Sequence, residues 1–275
     1  MTPASSTRVF AILGDPVTRS LSPVFQNAAL TAAGLDAVYV ALRCGAGELP
    51  GLLRGIAAAG GGGNVTAPHK QLAARSVDRR TPECELTGAC NTYWSRDGEV
   101  WGDNTDVAGC RAAIHSLVGS TPTPRVLVIG AGGVARALLR ALPASVDHVA
   151  ILNRTPARAA ELAERFASDA VSIEVIAEEA ELRGRTFDLV VHASSLGLRP
   201  DDPLPPTESY GARFALDLVY SPTAETPWVR RMRELGVPSA DGTEVLLAQG
   251  VAAFRRWWDV EPPVEAMRAA LMPGR

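Results

Sequence analysis

Residues 126–136 read Val-Leu-Val-Ile-Gly-Ala-Gly-Gly-Val-Ala-Arg, and their reading decides the fold. The four apolar residues, rich in Val and Ile, read as a buried strand. Gly130, Gly132 and Gly133 break that strand, and Ala-Leu-Leu-Arg-Ala-Leu at 137–142 carries on as a helix. Strand, Gly-rich turn and helix start have the shape of a dinucleotide-binding turn. Gly130 permits the tight turn, and Gly132 lets backbone N–H groups approach a pyrophosphate at the positive end of the helix dipole. Ala131, Gly133 and Val134 complete the turn. Ala135 stands where a third glycine often falls, and a small residue there still allows close helix–strand packing. By itself the same pattern also suits a bare αβ turn.

Downstream, His148–Leu152 reads as a second strand and Pro156–Phe166 as a second helix. About 20 residues beyond the glycines, NAD-specific folds place an acid on the ribose 2′-hydroxyl. This chain has Asn153-Arg154-Thr155 there, with Arg158 following. A guanidinium suits a 2′-phosphate through planar, charge-assisted hydrogen bonds, whereas a carboxylate repels it. The expected cofactor is therefore NADP. Residues 187–194 give a third strand ending in Ser194, the Pro-rich 201–211 a loop, and 214–222 a fourth strand; Thr226-Pro227 then opens a polar helix.

The N-terminal part also alternates strand and helix. Arg8–Gly14 is a short apolar strand, and a loop with two prolines follows. A helix runs from Pro23 to a stop at Gly34, with Ser22 as its N-cap. Residues 37–44 read as a strand and 48–60 as a helix, as expected of an α/β layer. A glycine run then leads into Asn64-Val65-Thr66, Pro68 and Lys70, and a helix resumes. Read plainly, Ser20 and Ser22 are caps, Thr66 a turn residue and Lys70 a solvated charge. A lysine at a helix N-terminus opposes the macrodipole at a cost of about 0.3–1 kcal/mol, which a functional role explains. Residues 88–93, Gly-Ala-Cys-Asn-Thr-Tyr, enter a strand, and Arg96-Asp97-Gly98 reads as a hairpin turn. Asp103, Asn104, Thr105 and Asp106 then crowd together before a helix, with Asp106 equally suited to an N-cap. At the far end, 243–258 and 264–272 read as helices, with Leu246, Ala253 and Trp257 at core spacing and Gln249 in mid-helix.

The 275 residues suit two modest domains or one large one, and 47% hydrophobic with 21% charged residues is ordinary for a globular protein. A net charge of −3 argues against nucleic acid or an anionic membrane as partner. No apolar run approaches the roughly 18 residues of a membrane span, and Met-Thr-Pro-Ala-Ser-Ser-Thr-Arg lacks a signal-peptide core. Cys44, Cys84, Cys90 and Cys110 show no paired spacing and read as reduced cytoplasmic thiols. The four histidines are dispersed, so no metal is expected.

Ser-Leu-Ser-Pro at 20–23, Asn-Val-Thr-Ala-Pro-His-Lys at 64–70, Gly-Ala-Cys-Asn-Thr-Tyr at 88–93, Gly-Asp-Asn-Thr-Asp-Val-Ala-Gly at 102–109 and the central glycine turn occur in one order. Together they resemble the shikimate dehydrogenase family over nearly the whole chain. The resemblance implies an α/β fold of two domains with a cleft between them. A substrate-binding domain (1–106 plus 241–275) would hold an inserted Rossmann-type NADP-binding domain (107–240). It implies NADPH-dependent, reversible reduction of 3-dehydroshikimate to shikimate, on the route to chorismate and the aromatic amino acids.

By residue-to-residue match, Lys70 and Asp106 form the catalytic pair at the reacting oxygen. Ser20 and Ser22, helped by Tyr220, hold the substrate carboxylate, and Thr66, Asn91 and Gln249 hold ring hydroxyls. Cofactor contacts fall to Gly130 through Ala135, Asn153, Arg154, Thr155, Arg158, Ser194, Val219 and Gly242. The family usually has Asn where His192 stands, and Gly and Met where Glu244 and Val245 stand. Quinate or aminoshikimate dehydrogenases share the family; quinate has an added C1 hydroxyl and needs more room near the carboxylate. A non-catalytic sensor of NADPH or pathway metabolites would keep the glycine turn and lose the Lys70/Asp106 pair. Monomers and homodimers both occur among such proteins.

Overall fold

A computed structural model describes residues 4–194, 196–197, 202–221 and 225–272. The chain forms two compact units, one of residues 1–109 with 246–275, the other of 110–245.

The first unit is built on β1 (Arg8–Gly14), α1 (Ser22–Ala32), β2 (Ala37–Arg43), α2 (Leu49–Ala58), β3 (Gly62–Val65), α3 (Lys70–Ser76), β4 (Arg79–Arg80), α4 (Pro82–Thr87), β5 (Thr92–Arg96) and β6 (Glu99–Asp103). Its six strands lie in the order β2-β1-β3-β5-β6-β4. β1 runs parallel to β2 and β3, and β3 and β6 both run antiparallel to β5. The glycine run thus ends in a central strand, fully buried. Its backbone packs so tightly that a Cβ on Gly63 would fall 1.9 Å from the Ala11 carbonyl oxygen, and Gly63 has φ +154°. Only glycine meets that demand. The turn between β5 and β6, read from the sequence as a hairpin turn, puts Asp97 and Gly98 at positive φ, as a type I′ turn requires.

Apolar faces of α2 and α3 supply Leu49, Leu53 and Ala73 to a core with Leu13, Val65 and Tyr93. Ser22 is the first residue of α1 and not its cap: Leu21 holds the cap position and no side chain caps the helix. Pro23 in the first turn fixes φ for the start, so the helix begins without a hydroxyl cap.

α5 (Asp106–Val118) contains the boundary between the units. The second unit continues with β7 (Arg125–Ile129), α6 (Gly133–Ala141), β8 (His148–Leu152), α7 (Pro156–Phe166), β9 (Ser172–Ile176), β10 (Leu189–His192), β11 (Phe214–Asp217), α8 (Pro227–Glu234) and β12 (Ser239–Ala240). These strands lie in the order β12-β11-β10-β7-β8-β9, and every pairing is parallel. Counted from β7 this is the 3-2-1-4-5-6 order of the dinucleotide-binding fold, with its topological switch point between β7 and β10. Trp228, Val229 and Met232 of α8 seal one face over Ile129, Val190 and Ala215.

The two edge strands, β9 and β12, were not anticipated. The first, Ser-Ile-Glu-Val-Ile, is mostly half-exposed, and the second has two residues, so neither gives a buried apolar run. α9 (Thr243–Trp257) and α10 (Val264–Leu271) return the chain to the first unit, where α10 packs on α1. In α9, Leu246 and Ala253 are buried as expected, and Trp258 is buried more deeply than Trp257.

Candidate active site and dinucleotide cradle

In the first unit, the polar residues picked out by their motifs fall at strand ends and helix starts. Lys70 is the first residue of α3 and Asp106 the first of α5. Lys70 Nζ donates to Asp106 Oδ2 at 2.5 Å, with both side chains largely buried. The carboxylate offsets the unfavourable placement of a cation at a helix start. The other Asp106 oxygen, Oδ1, accepts from Asn91 Nδ2 at 2.8 Å. Asn91 Nδ2 also approaches Gln249 Oε1 at 3.5 Å, and Gln249 Nε2 donates to the Leu246 carbonyl. Asn91 Oδ1 accepts from the Thr105 N–H at 2.7 Å and from the Thr92 and Thr105 hydroxyls. One side chain therefore ties the Gly-Ala-Cys-Asn-Thr loop to the Asn-Thr-Asp helix start. The Cys90 N–H donates to the Lys70 carbonyl at 2.8 Å, locking the lysine's own backbone to the same loop.

Two residues that the sequence reading did not assign complete this network. Asn64, buried in β3, donates to the Asn91 carbonyl and the Thr92 hydroxyl, each at 3.0 Å, and accepts from the Tyr39 hydroxyl at 2.7 Å. Burial pushes the Tyr39 phenol well above its usual range, with the Ser22 hydroxyl beside it. The Ser22 N–H in turn donates to Ser20 Oγ at 3.2 Å. A polar chain thus runs from Ser20 and Ser22 through Tyr39, Asn64 and Asn91 to Asp106 and Lys70. An amide in a wholly buried strand was the available signal for Asn64; Tyr39 looked like any strand aromatic. Thr66 sits just past β3, half-buried, its methyl pressed over Gly14, where a Cβ would fall 2.4 Å from it. Tyr220 belongs to the second unit, half-buried beyond β11.

In the second unit the glycine turn closes β7. Gly130 has φ +119°, and a Cβ there would lie 2.7 Å from the backbone of Ala193 and Ser194. Gly132 is the extended residue before α6, and Ala135 is fully buried where the helix meets the sheet. Asn153 Oδ1 accepts from the Ala131 N–H at 3.1 Å while its Nδ2 donates to the Thr155 carbonyl at 2.8 Å. Arg154, Thr155 and Arg158 are exposed, and among the described residues neither arginine is in an ion pair. Gly242 packs on the loop after β11, its N–H donating to the Val219 carbonyl at 2.9 Å. A backbone cradle that excludes side chains, followed by two unpaired guanidiniums and no acid at the end of β8, fits a dinucleotide with a 2′-phosphate.

The remaining chemistry is quiet. All four cysteines are buried thiols, and the hydrogen bond with Cys84, together with burial, holds the Cys90 thiol well above its ordinary range. Among the described residues no cluster of His, Cys, Asp or Glu could hold a metal, and no helix is long and apolar enough to cross a membrane.

Comparison with known proteins gives matches along the chain. Three family models match: the shikimate dehydrogenase substrate binding domain at residues 12–93, shikimate/quinate 5-dehydrogenase at 113–196, and the shikimate 5′-dehydrogenase C-terminal domain at 242–272. A shikimate dehydrogenase (NADP(+)) from Rubrobacter xylanophilus is 42% identical, with 96% of this chain and 95% of that protein covered. Shikimate dehydrogenase from Aquifex aeolicus superposes with a TM-score of 0.88 at 32% identity, over 98% of this chain and 99% of the other. Shikimate 5-dehydrogenase from Thermus thermophilus, solved in complex with NADP(H) and shikimate, gives 0.84 at 34% identity over 96% and 98%.

Proposed function

The chain belongs to the shikimate dehydrogenase family, and from that premise we propose that it is an NADP-dependent oxidoreductase interconverting 3-dehydroshikimate and shikimate. The observation that carries this reading is the Lys70–Asp106 pair, buried and held by Asn91. A protein that only sensed metabolites would have no need of it.

Bound NADPH supplies the hydride. The chain's own residues position the carbonyl and manage the proton. Lys70, held in place by Asp106, donates to the oxygen as alkoxide character develops, and Asp106 also orients the hydroxyl in the reverse direction. Ser20 and Ser22, with Tyr220, hold the substrate carboxylate; Thr66, Asn91 and Gln249 hold ring hydroxyls and set the face presented to hydride. Gly130 to Ala135 receive the pyrophosphate, Asn153 and Thr155 frame the adenosine end, and Arg154 and Arg158 engage the 2′-phosphate. Ser194, Val219 and Gly242 line the nicotinamide side. In domain terms, 1–106 with 241–275 bind substrate and 107–240 the cofactor. The buried, reduced thiols suit a cytoplasmic enzyme, acting as monomer or homodimer.

The test is direct: purified protein with NADP and shikimate, followed by the absorbance of the reduced cofactor, and then with quinate. Turnover of shikimate with little on quinate is expected. Turnover of neither overturns the proposal, and a preference for quinate reassigns the substrate within the family.

A further inference from the structure

The switch point of the second sheet carries a buried relay that the catalytic reading does not use. β10 and β11 run parallel with His192 opposite Asp217, each the last residue of its strand, so both side chains leave the same face. They meet: His192 Nδ1 lies 2.8 Å from Asp217 Oδ1, and each residue is 1% exposed. The Trp228 ring of α8 packs against the imidazole, with ring centroids 5.7 Å apart. Both oxygens of Asp217 are engaged. Its Oδ1 also accepts from the Val219 N–H at 2.9 Å, and its Oδ2 from the Thr226 hydroxyl at 2.7 Å. Thr226 Oγ1 in turn accepts from the Val229 N–H as the cap of α8.

This arrangement selects one tautomer of the ring. A carboxylate only accepts, so Nδ1 is the nitrogen that donates to Asp217, and the tautomer this selects has a bare Nε2 as acceptor. Nε2 lies 2.6 Å from Ser194 Oγ. Ser194 therefore spends its single hydroxyl proton on His192, and its oxygen also accepts from the Leu196 N–H at 3.2 Å. Outward, the hydroxyl has only a lone pair to offer. Its backbone abuts Gly130, in the crevice beyond the carboxyl ends of β7 and β10 where such sheets take their ligand.

We propose that His192, fixed by Asp217, is a positioning residue that presents Ser194 Oγ to the bound dinucleotide as a hydrogen-bond acceptor, for an amide N–H or ribose O–H and not for a phosphate oxygen. The inference rests on the NADP-binding reading above. It gives a defined role to the histidine, which stands where Asn is usual in the family. An aspartate-locked imidazole accepts the hydrogen bond of the serine hydroxyl.

The test is a double-mutant cycle on NADPH binding to the whole protein, read by nicotinamide fluorescence, together with 15N NMR of the histidine side chains. Ser194→Ala and His192→Phe should each weaken NADPH binding about three- to tenfold, the worth of one hydrogen bond, and the double variant should be no weaker than either single one. The His192 spectrum should hold a protonated Nδ1 and a bare Nε2 whose resonance moves in Ser194→Ala. Competition by the oxidised 3-acetylpyridine analogue, which lacks the amide N–H, identifies the donor: the Ser194→Ala effect vanishes for an amide and persists for a ribose hydroxyl, either result upholding the acceptor role. Additive losses in the cycle, a protonated Nε2, or unchanged affinity in both single variants overturn it while the function stands. If His192→Phe does not fold, Ser194→Ala and the NMR tautomer decide. A wild-type protein that binds no NADPH overturns this inference and the function together.

Discussion

Lys70 Nζ and Asp106 Oδ2 lie 2.5 Å apart across 36 residues of sequence, each at the first position of its helix. The pair joins two helix starts whose charges have opposite relations to the local dipole: the acid favourable, the base unfavourable. Such a cation is held in place by its partner and remains available to a third group.

Removal of that cation should strike turnover. Lys70→Ala is expected to lower kcat by about 10²–10⁴, the range for a lost acid–base group, with circular dichroism unchanged. Turnover within a few-fold of wild type would refute the assignment of Lys70.

Asn91 should matter for both stability and rate. Asn91→Ala leaves the buried Thr105 N–H without its partner and deprives Asp106 of a donor. A loss of about 1–3 kcal/mol in urea unfolding is expected, along with reduced kcat. An unchanged urea midpoint would mean that another group takes over the loop.

Cofactor choice should follow the arginines. Arg154→Ala with Arg158→Ala is expected to weaken NADPH about 10- to 100-fold, as charge-assisted bonds of about 1.5–3 kcal/mol are lost, while NADH changes little. Parallel losses for both cofactors in steady-state kinetics would contradict a 2′-phosphate site there.

Alkaline pH should destabilise the first unit through its buried phenols. Tyr39 and Tyr93 are raised by burial above their ordinary value of 10.0. Above that value the unfolded chain releases protons that the native state retains, so the unfolded state binds fewer and stability falls as pH rises. The contribution is whole below about pH 10 and is lost upward from there. Urea midpoints should drop between about pH 8 and pH 11, and drop less in Tyr39→Phe/Tyr93→Phe. Equal slopes in the two proteins would exclude the phenols as the cause.

How much of this could be read from the chain differs between its parts. The glycine turn at 130–133 was legible because a buried apolar strand, special backbone geometry and a helix start each leave a mark in residue type. The Lys70/Asp106 pair was legible as two motifs, and its closing distance depended on tertiary structure. Asn64 and Tyr39 escaped because a buried polar residue is told from a turn residue only by its neighbours. β9 escaped because an edge strand with a glutamate at its centre has neither a continuous apolar run nor a strict alternation. His192 stood out only as a departure from the family pattern. Its partner is fixed by strand register, 25 residues away, which no local pattern encodes.

The four thiols are all sealed inside the protein. Its native surface is therefore silent toward maleimide reagents. One cysteine introduced on an exposed turn of each unit would carry a site-specific dye pair with no native thiol to remove first. The dye-to-dye distance, with and without added NADPH, then becomes measurable in the otherwise unaltered chain.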